Sequence, residues 1–258
     1  MLYKVISYLF FWLKSTNQHG VHSPFVFNLV TKCFYKKTNQ EKTVVYTKVK
    51  KSLLNKKNRI NVTDIGAGSK IFKSNSRQIN RITKVAGISN KRALLLIRLT
   101  EYFKPQSILE FGTSVGLSSS AMSIGNPNAI INTLEGCPNT AKVASELFNE
   151  FSFKNIKVTI GEFENSLSSI TPNKKLDLVF FDGNHQEKPT LEYFEYCLEF
   201  IHNDSVFIFD DIYWSKEMQS AWKKIKEHPK VKVTIDTFKW GIVFFREEQE
   251  KEHFTIRV

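Results

Sequence analysis

The chain has 258 residues, 41% of them hydrophobic and 24% charged, with a net charge of +12. That length and apolar fraction can bury a sizeable core, which excludes a disordered or low-complexity chain. Three cysteines without metal-ligand spacing, Cys33, Cys137 and Cys197, exclude a disulfide framework and favour free thiols in a reducing, cytoplasmic setting.

No apolar run reaches the roughly 20 residues that a membrane-spanning helix takes. The opening stretch, residues 1–13, is mostly apolar, but Lys4 interrupts it, Lys14 closes it and no small-residue cleavage site follows. It reads as an amphipathic helix packed on the domain or on a second subunit, so a homodimer is one expectation. Attachment to a membrane surface is the lesser reading. Residues 18–27 hold His19, Gly20, His22 and a Ser23-Pro24 helix start ahead of Phe25 and Phe27. The two histidines either reach a substrate or complete an ordered turn.

Residues 36–104 carry eighteen Lys and Arg against three acids, a local charge of +15 that leaves −3 for the rest. A basic block of this kind favours an anionic partner, either a small metabolite or a nucleic acid. Thirteen of the eighteen are lysines, whereas planar phosphate recognition favours arginine, and no RNA-binding motif is present. Within the block, Asp64-Ile-Gly-Ala-Gly-Ser69 imitates a nucleotide-binding glycine turn, yet no apolar-faced helix or acid-tipped strand follows it. It is assigned to a lid or substrate loop. The amphipathic stretch at 90–103 is the helix expected before the first strand of a sheet.

That strand is Ser107-Ile-Leu-Glu110, followed by a loop with Gly112 and Gly116 and a helix from about Leu117. Strand, glycine turn and helix start make a cradle in which backbone can approach a ligand and helix N–H groups can face it. The spacing is G-x-x-x-G, which turns the reading away from NAD. A second strand ends at Glu135, where α/β nucleotide sites hold a ribose. Further strands end at Gly161-Glu162-Phe163, at Asp182 and at Asp210-Asp211, with helical patterns between them. In an open parallel sheet such ends share one ligand-binding edge. A helix over 215–227 and two strands over 230–238 and 240–245 complete the pattern, and the charged tail after Arg246 is expected to be peripheral.

Leu109-Glu-Phe-Gly-Thr-Ser-Val-Gly116, Leu134-Glu135-Gly136, Phe181-Asp-Gly-Asn-His185 and Phe209-Asp-Asp-Ile212 resemble successive motifs of the class I S-adenosylmethionine-dependent methyltransferases. The nearest branch is the metal-dependent O-methyltransferases similar to catechol O-methyltransferase. The resemblance implies an α/β, Rossmann-like methyltransferase fold: a mostly parallel seven-stranded sheet with an antiparallel C-terminal strand, and an N-terminal helical lid extension. It divides the chain into an extension over 1–87 and a cofactor-binding domain over 88–258. By position it assigns Glu110, Gly112, Thr113, Ser114 and Gly116 to the methionine end of S-adenosylmethionine and Glu135 to its ribose. Glu162, Phe163 and the backbone of Gly136 fall near the adenine, and Asp182 counts with both the cofactor and a metal.

Three carboxylates at one edge, Asp182, Asp210 and Asp211, repel each other unless protons or a cation neutralise them, and hard oxygen donors suit Mg²⁺. In the resembled family such a metal grips substrate hydroxyls and aims one at the cofactor's methyl group. His185 stands where catechol O-methyltransferase has a lysine, as in the sugar O-methyltransferases of macrolide biosynthesis, and an imidazole is a sound general base for a hydroxyl. Bland alternatives stand beside these roles: His185 capping the next helix, and Asp210-Asp211 closing a turn. The expected function is therefore O-methylation of a hydroxylated small molecule. An RNA methyltransferase using the basic segment, or a non-catalytic subunit of the same fold, is the alternative.

Overall fold

The computed structural model describes residues 2–64, 72–161, 163 and 175–258. Among the described residues the strands form a small two-stranded sheet and an eight-stranded sheet, mostly parallel, with helices following the strands at 107–111, 130–135, 178–181 and 206–210. The larger sheet, in residue ranges, runs 252–255, 233–236, 240–244, 206–210, 178–181, 107–111, 130–135 and 156–160 from edge to edge. This is the expected Rossmann-like arrangement with one strand more. Contacts divide the chain into two units, Met1–Tyr35 with Asn173–Val258, and Lys36–Pro172. Each unit draws on residues from both sides of position 88.

The first unit opens with α1 (Leu2–Lys14), a 3₁₀ turn at Gln18–Gly20 and α2 (Pro24–Leu29). The Ser23-Pro24 signal works as read: Ser23 Oγ accepts from Val26 N at 3.4 Å, and Pro24 begins the helix. In the second unit, α3 (Gln40–Asn55) leads into the hairpin β1 (Arg59–Asn61) and β2 (Ser76–Gln78), then α4 (Ile79–Val85) and α5 (Asn90–Phe103). Ser89 caps α5, and Lys104 in the left-handed region (φ 48°) ends it. There follow β3 (Ser107–Phe111), α6 (Leu117–Gly125), β4 (Ile130–Glu135), α7 (Pro138–Glu150) and β5 (Ile156–Ile160). β3, β4 and β5 pair in parallel. β5 has no fully buried residue and exposes Lys157 and Ile160, as a solvated edge strand does.

The first unit resumes with β6 (Leu178–Phe181), α8 (Glu187–Cys197), β7 (Val206–Asp210), α9 (Lys216–Glu227), β8 (Val233–Asp236), β9 (Trp240–Phe244) and β10 (Glu252–Thr255). All residues of β6 and β7 are buried, which is why they read as unbroken apolar runs rather than as alternation. Phe181 stacks on Phe209 at 4.2 Å, and Phe194 of α8 meets Phe209 edge-on at 5.9 Å. Such pairs add about 0.5–1.5 kcal/mol each beyond their burial. β9 runs antiparallel to both β7 and β8.

β10 corrects the expectation of a peripheral tail. It pairs in parallel with β8, from Glu252 opposite Val233 to Thr255 opposite Asp236, and buries Phe254 while Ile256 is buried just beyond. The charges of residues 246–252 dominate the composition there and mask a short alternation at Phe254 and Ile256.

Candidate functional site

Within the unit 36–172 the turn after β3 has the backbone that its glycines foretell. Gly112 (φ 94°), Ser114 (φ 49°) and Gly116 (φ 87°) all lie in the left-handed region. Gly116 has a second reason beside its positive φ: a Cβ there would stand 2.7 Å from the Phe148 ring of α7, so this glycine also serves helix packing. The loop's amides are also largely satisfied by protein. Gly112 N and Thr113 N donate to Leu134 O at 2.9 and 3.1 Å, and Gly116 N donates to Thr113 O at 2.9 Å. The Thr113 side chain is buried, its hydroxyl 2.6 Å from that of Thr133. The turn is thus tied to the end of β4 rather than open as a ring of donors.

What this tie positions is Glu135. Its Oε2 accepts from Ser114 N at 2.7 Å and its Oε1 from Cys137 N at 2.9 Å. Burial pushes the Glu135 carboxyl above its ordinary range, against the pull of the Cys137 and Ser114 amides. Gly161 N donates to Glu135 O at 3.0 Å, which brings the end of β5 beside it. Phe163 lies edge-on to Phe111 at 5.6 Å; Glu162 falls outside the described residues.

Glu110 is fully buried in β3. Its Oε2 accepts from Ser119 and, at 2.6 Å, from Thr133, while Oε1 has no hydrogen-bond partner. Burial drives this carboxyl upward, opposed by the Ser118, Ser119 and Thr133 hydroxyls and assisted by the Glu135 charge. The hydroxyls of Ser119 and Thr133 escaped the sequence reading. The signal available was the run Ser118-Ser119-Ser120 directly after the glycine turn, too polar for a helix face that packs inward unless it serves a buried acid.

The loop at Asp64 is read in part: Asp64 is held by Arg77 through two bonds of 2.8 and 2.5 Å, and residues 65–69 lie outside the described set. In the unit formed by 1–35 and 173–258, His19 sits in the 3₁₀ turn with its backbone N–H bonded to Asn17 Oδ1 at 3.0 Å. Asp182 follows β6, and Asn184 (φ 64°) and His185 (φ 20°) both take positive φ, with His185 N donating to Gly183 O at 3.0 Å. This tight turn returns the imidazole to Asp182: His185 Nε2 and Asp182 Oδ1 stand 3.7 Å apart, an ion-pair distance rather than a hydrogen bond. The ring also faces Trp214 at 6.2 Å. Gln186, not His185, occupies the cap position of α8, so the helix-capping alternative is set aside.

The three-carboxylate cluster does not form. Among the described residues no group of three or more His, Cys, Asp or Glu side chains could hold a metal ion. Asp210 ends β7 with its side chain buried, while Asp211 turns into the left-handed region (φ 49°) and reaches Lys239 Nζ at 3.6 Å. The three acids are thus not grouped as a metal site among the described residues, and the Lys239 ammonium stands beside Asp211.

Residues 109–212, from within β3 to just past β7, match the family described as "Methyltransferase domain". That segment of the chain is similar to a methyltransferase domain. Solved structures share the domain's fold. The SAH-bound methyltransferase PaMTH1 from Podospora anserina is 15% identical, with a TM-score of 0.61 over 88% of this chain and 97% of that one. The O-methyltransferase from Bacillus cereus in complex with SAH is 17% identical, with a TM-score of 0.55 over 85% and 96%. TomG from Streptomyces achromogenes, an O-methyltransferase of tomaymycin synthesis solved with SAM, is 18% identical, with a TM-score of 0.55 over 63% and 82%. No curated protein matches the sequence.

Proposed function

We propose that this chain is an S-adenosylmethionine-dependent O-methyltransferase acting on a hydroxylated small molecule. The observation that carries the reading is Glu135, held at the tip of β4 by the backbone amides of Ser114 and Cys137, with one amide on each carboxylate oxygen. A carboxylate there is the acceptor for a ribose diol. Glu110, with a buried Oε1 that no protein group satisfies, is assigned to the methionine ammonium. Gly112, Ser114 and Gly116 shape the turn at the same end. Gly136, Glu162 and Phe163 are assigned to the adenine side. The cofactor, when bound, supplies an electrophilic methyl group on a sulfonium.

His185 is assigned as the base that takes the acceptor hydroxyl's proton, with Asp182 at 3.7 Å orienting it and stabilising the imidazolium. Trp214 beside the imidazole is assigned to one wall of the acceptor pocket. No step is routed through Mg²⁺, since Asp182, Asp210 and Asp211 do not assemble its cage. An anionic acceptor is favoured by charge, because the unit 36–172 holds 21 of the 37 basic residues and 9 of the 25 acids.

Two variants separate cofactor binding from proton transfer. Glu135→Ala should weaken S-adenosylmethionine binding in calorimetry by about tenfold to a hundredfold, the size expected for lost hydrogen bonds to a charged group. His185→Ala should leave that affinity unchanged and slow turnover by about a hundredfold or more. Unchanged binding in the first variant removes the cofactor assignment. Unchanged turnover in the second removes the base, and turnover abolished by a chelator and restored by Mg²⁺ reverses the metal-free reading.

A further inference from the structure

The helix α1 leaves one side of itself bare, and that side is wholly apolar. Val5, Ile6, Leu9, Phe10, Trp12 and Leu13 are each between 42% and 72% exposed. At 100° per residue these six fall in one arc of roughly 160°, with no polar residue among them. The opposite side anchors the helix to its own unit. Tyr3 donates to Gln219 Oε1 at 2.8 Å, Phe11 is buried against Phe238 at 5.5 Å, and Lys4 lies over the Trp214 ring at 3.5 Å. The apolar side is therefore presented outward by a docked helix and is not the seam by which α1 packs on the domain. Six large apolar side chains in one arc make a patch beyond what single scattered residues on a soluble surface need.

We propose that this face docks on an anionic lipid bilayer, with α1 lying in the plane of the headgroups. Its thirteen residues are too few to cross a bilayer, and among the described residues no helix is long and apolar enough to do so. Leu, Phe and Trp are the side chains that enter the headgroup–acyl boundary from an in-plane helix. Charge selects the lipid over a second copy of the chain. Residues 1–35 hold Lys4, Lys14 and Lys32 and no acid, so the segment meets anionic headgroups without like-charge repulsion. Two copies of this segment facing each other would bring lysines together with no acid between them, while a negative surface attracts them.

Flotation of the full chain with vesicles tests this. The protein should rise with phosphatidylcholine vesicles containing phosphatidylglycerol and far less with phosphatidylcholine alone. The double substitution Leu9→Glu with Leu13→Glu should cut the floated fraction by at least about tenfold, at an unchanged melting temperature, because both positions are exposed. Wild-type protein that stays with the soluble fraction overturns the proposal, as does a double variant that floats equally well. So does a wild-type dimer in sedimentation that the same substitutions dissociate, since the face would then belong to a second copy. Cofactor affinity is not expected to change in the variant, so this test stands apart from the catalytic one.

Discussion

Glu110 and Glu135 sit on adjacent parallel strands, and their surroundings give them different work. Glu135 meets the Ser114 and Cys137 amides; Glu110 is fully buried and meets hydroxyls at Oε2, with its Oε1 without a hydrogen bond. Sequence spacing marks both positions as strand-end acids but does not say which one is closed in. Burial raises the Glu110 carboxyl, so its contribution to stability is whole below the unfolded glutamate value of about 4.3 and is lost as pH rises through the folded value. Glu110→Gln removes that titration. The melting-temperature advantage of wild type over the variant should therefore shrink as pH is raised from 4 towards 8. A difference that stays flat with pH would show that Glu110 does not titrate in this way. His185 was legible as a candidate from the Asp-Gly-Asn-His motif, whereas its separation from Asp182 rests on two positive-φ residues that no residue type enforces.

At the scale of elements, the strands of the larger sheet up to β7 announce themselves through buried apolar runs, and the helices through period and caps, such as Ser89 before α5 and Ser215 before α9. β10 does not, since four residues of a charged tail become a strand only when β8 offers an edge to pair with. β9 carries its own constraint at Gly241, where a Cβ would come within 2.6–2.8 Å of the Trp222 ring of α9. Gly241→Ala must push that helix away from the sheet, and overpacking of this kind costs about 1–3 kcal/mol. A urea titration should show a lower midpoint with an unchanged slope, and a midpoint equal to wild type would mean the helix shifts freely.

For the whole molecule, the +12 surplus lies in the unit 36–172, while the other unit is balanced. Single-stranded RNA is expected to bind this surface and to lose at least about tenfold in affinity between low and physiological salt, without accepting label from S-adenosylmethionine. Transfer of label to RNA would reverse the small-molecule reading. By itself the sequence determined the order of strands and helices, the glycine turn and the acid at the tip of β4, because apolar period, φ-permissive residues and caps are local properties. The tertiary structure alone decided that Glu110 is enclosed, that Gly116 serves Phe148, that Lys239 meets Asp211 and that the outer side of α1 stays bare. Each of these depends on which distant groups share a neighbourhood, and desolvation, packing and ion pairing act through that proximity rather than along the chain.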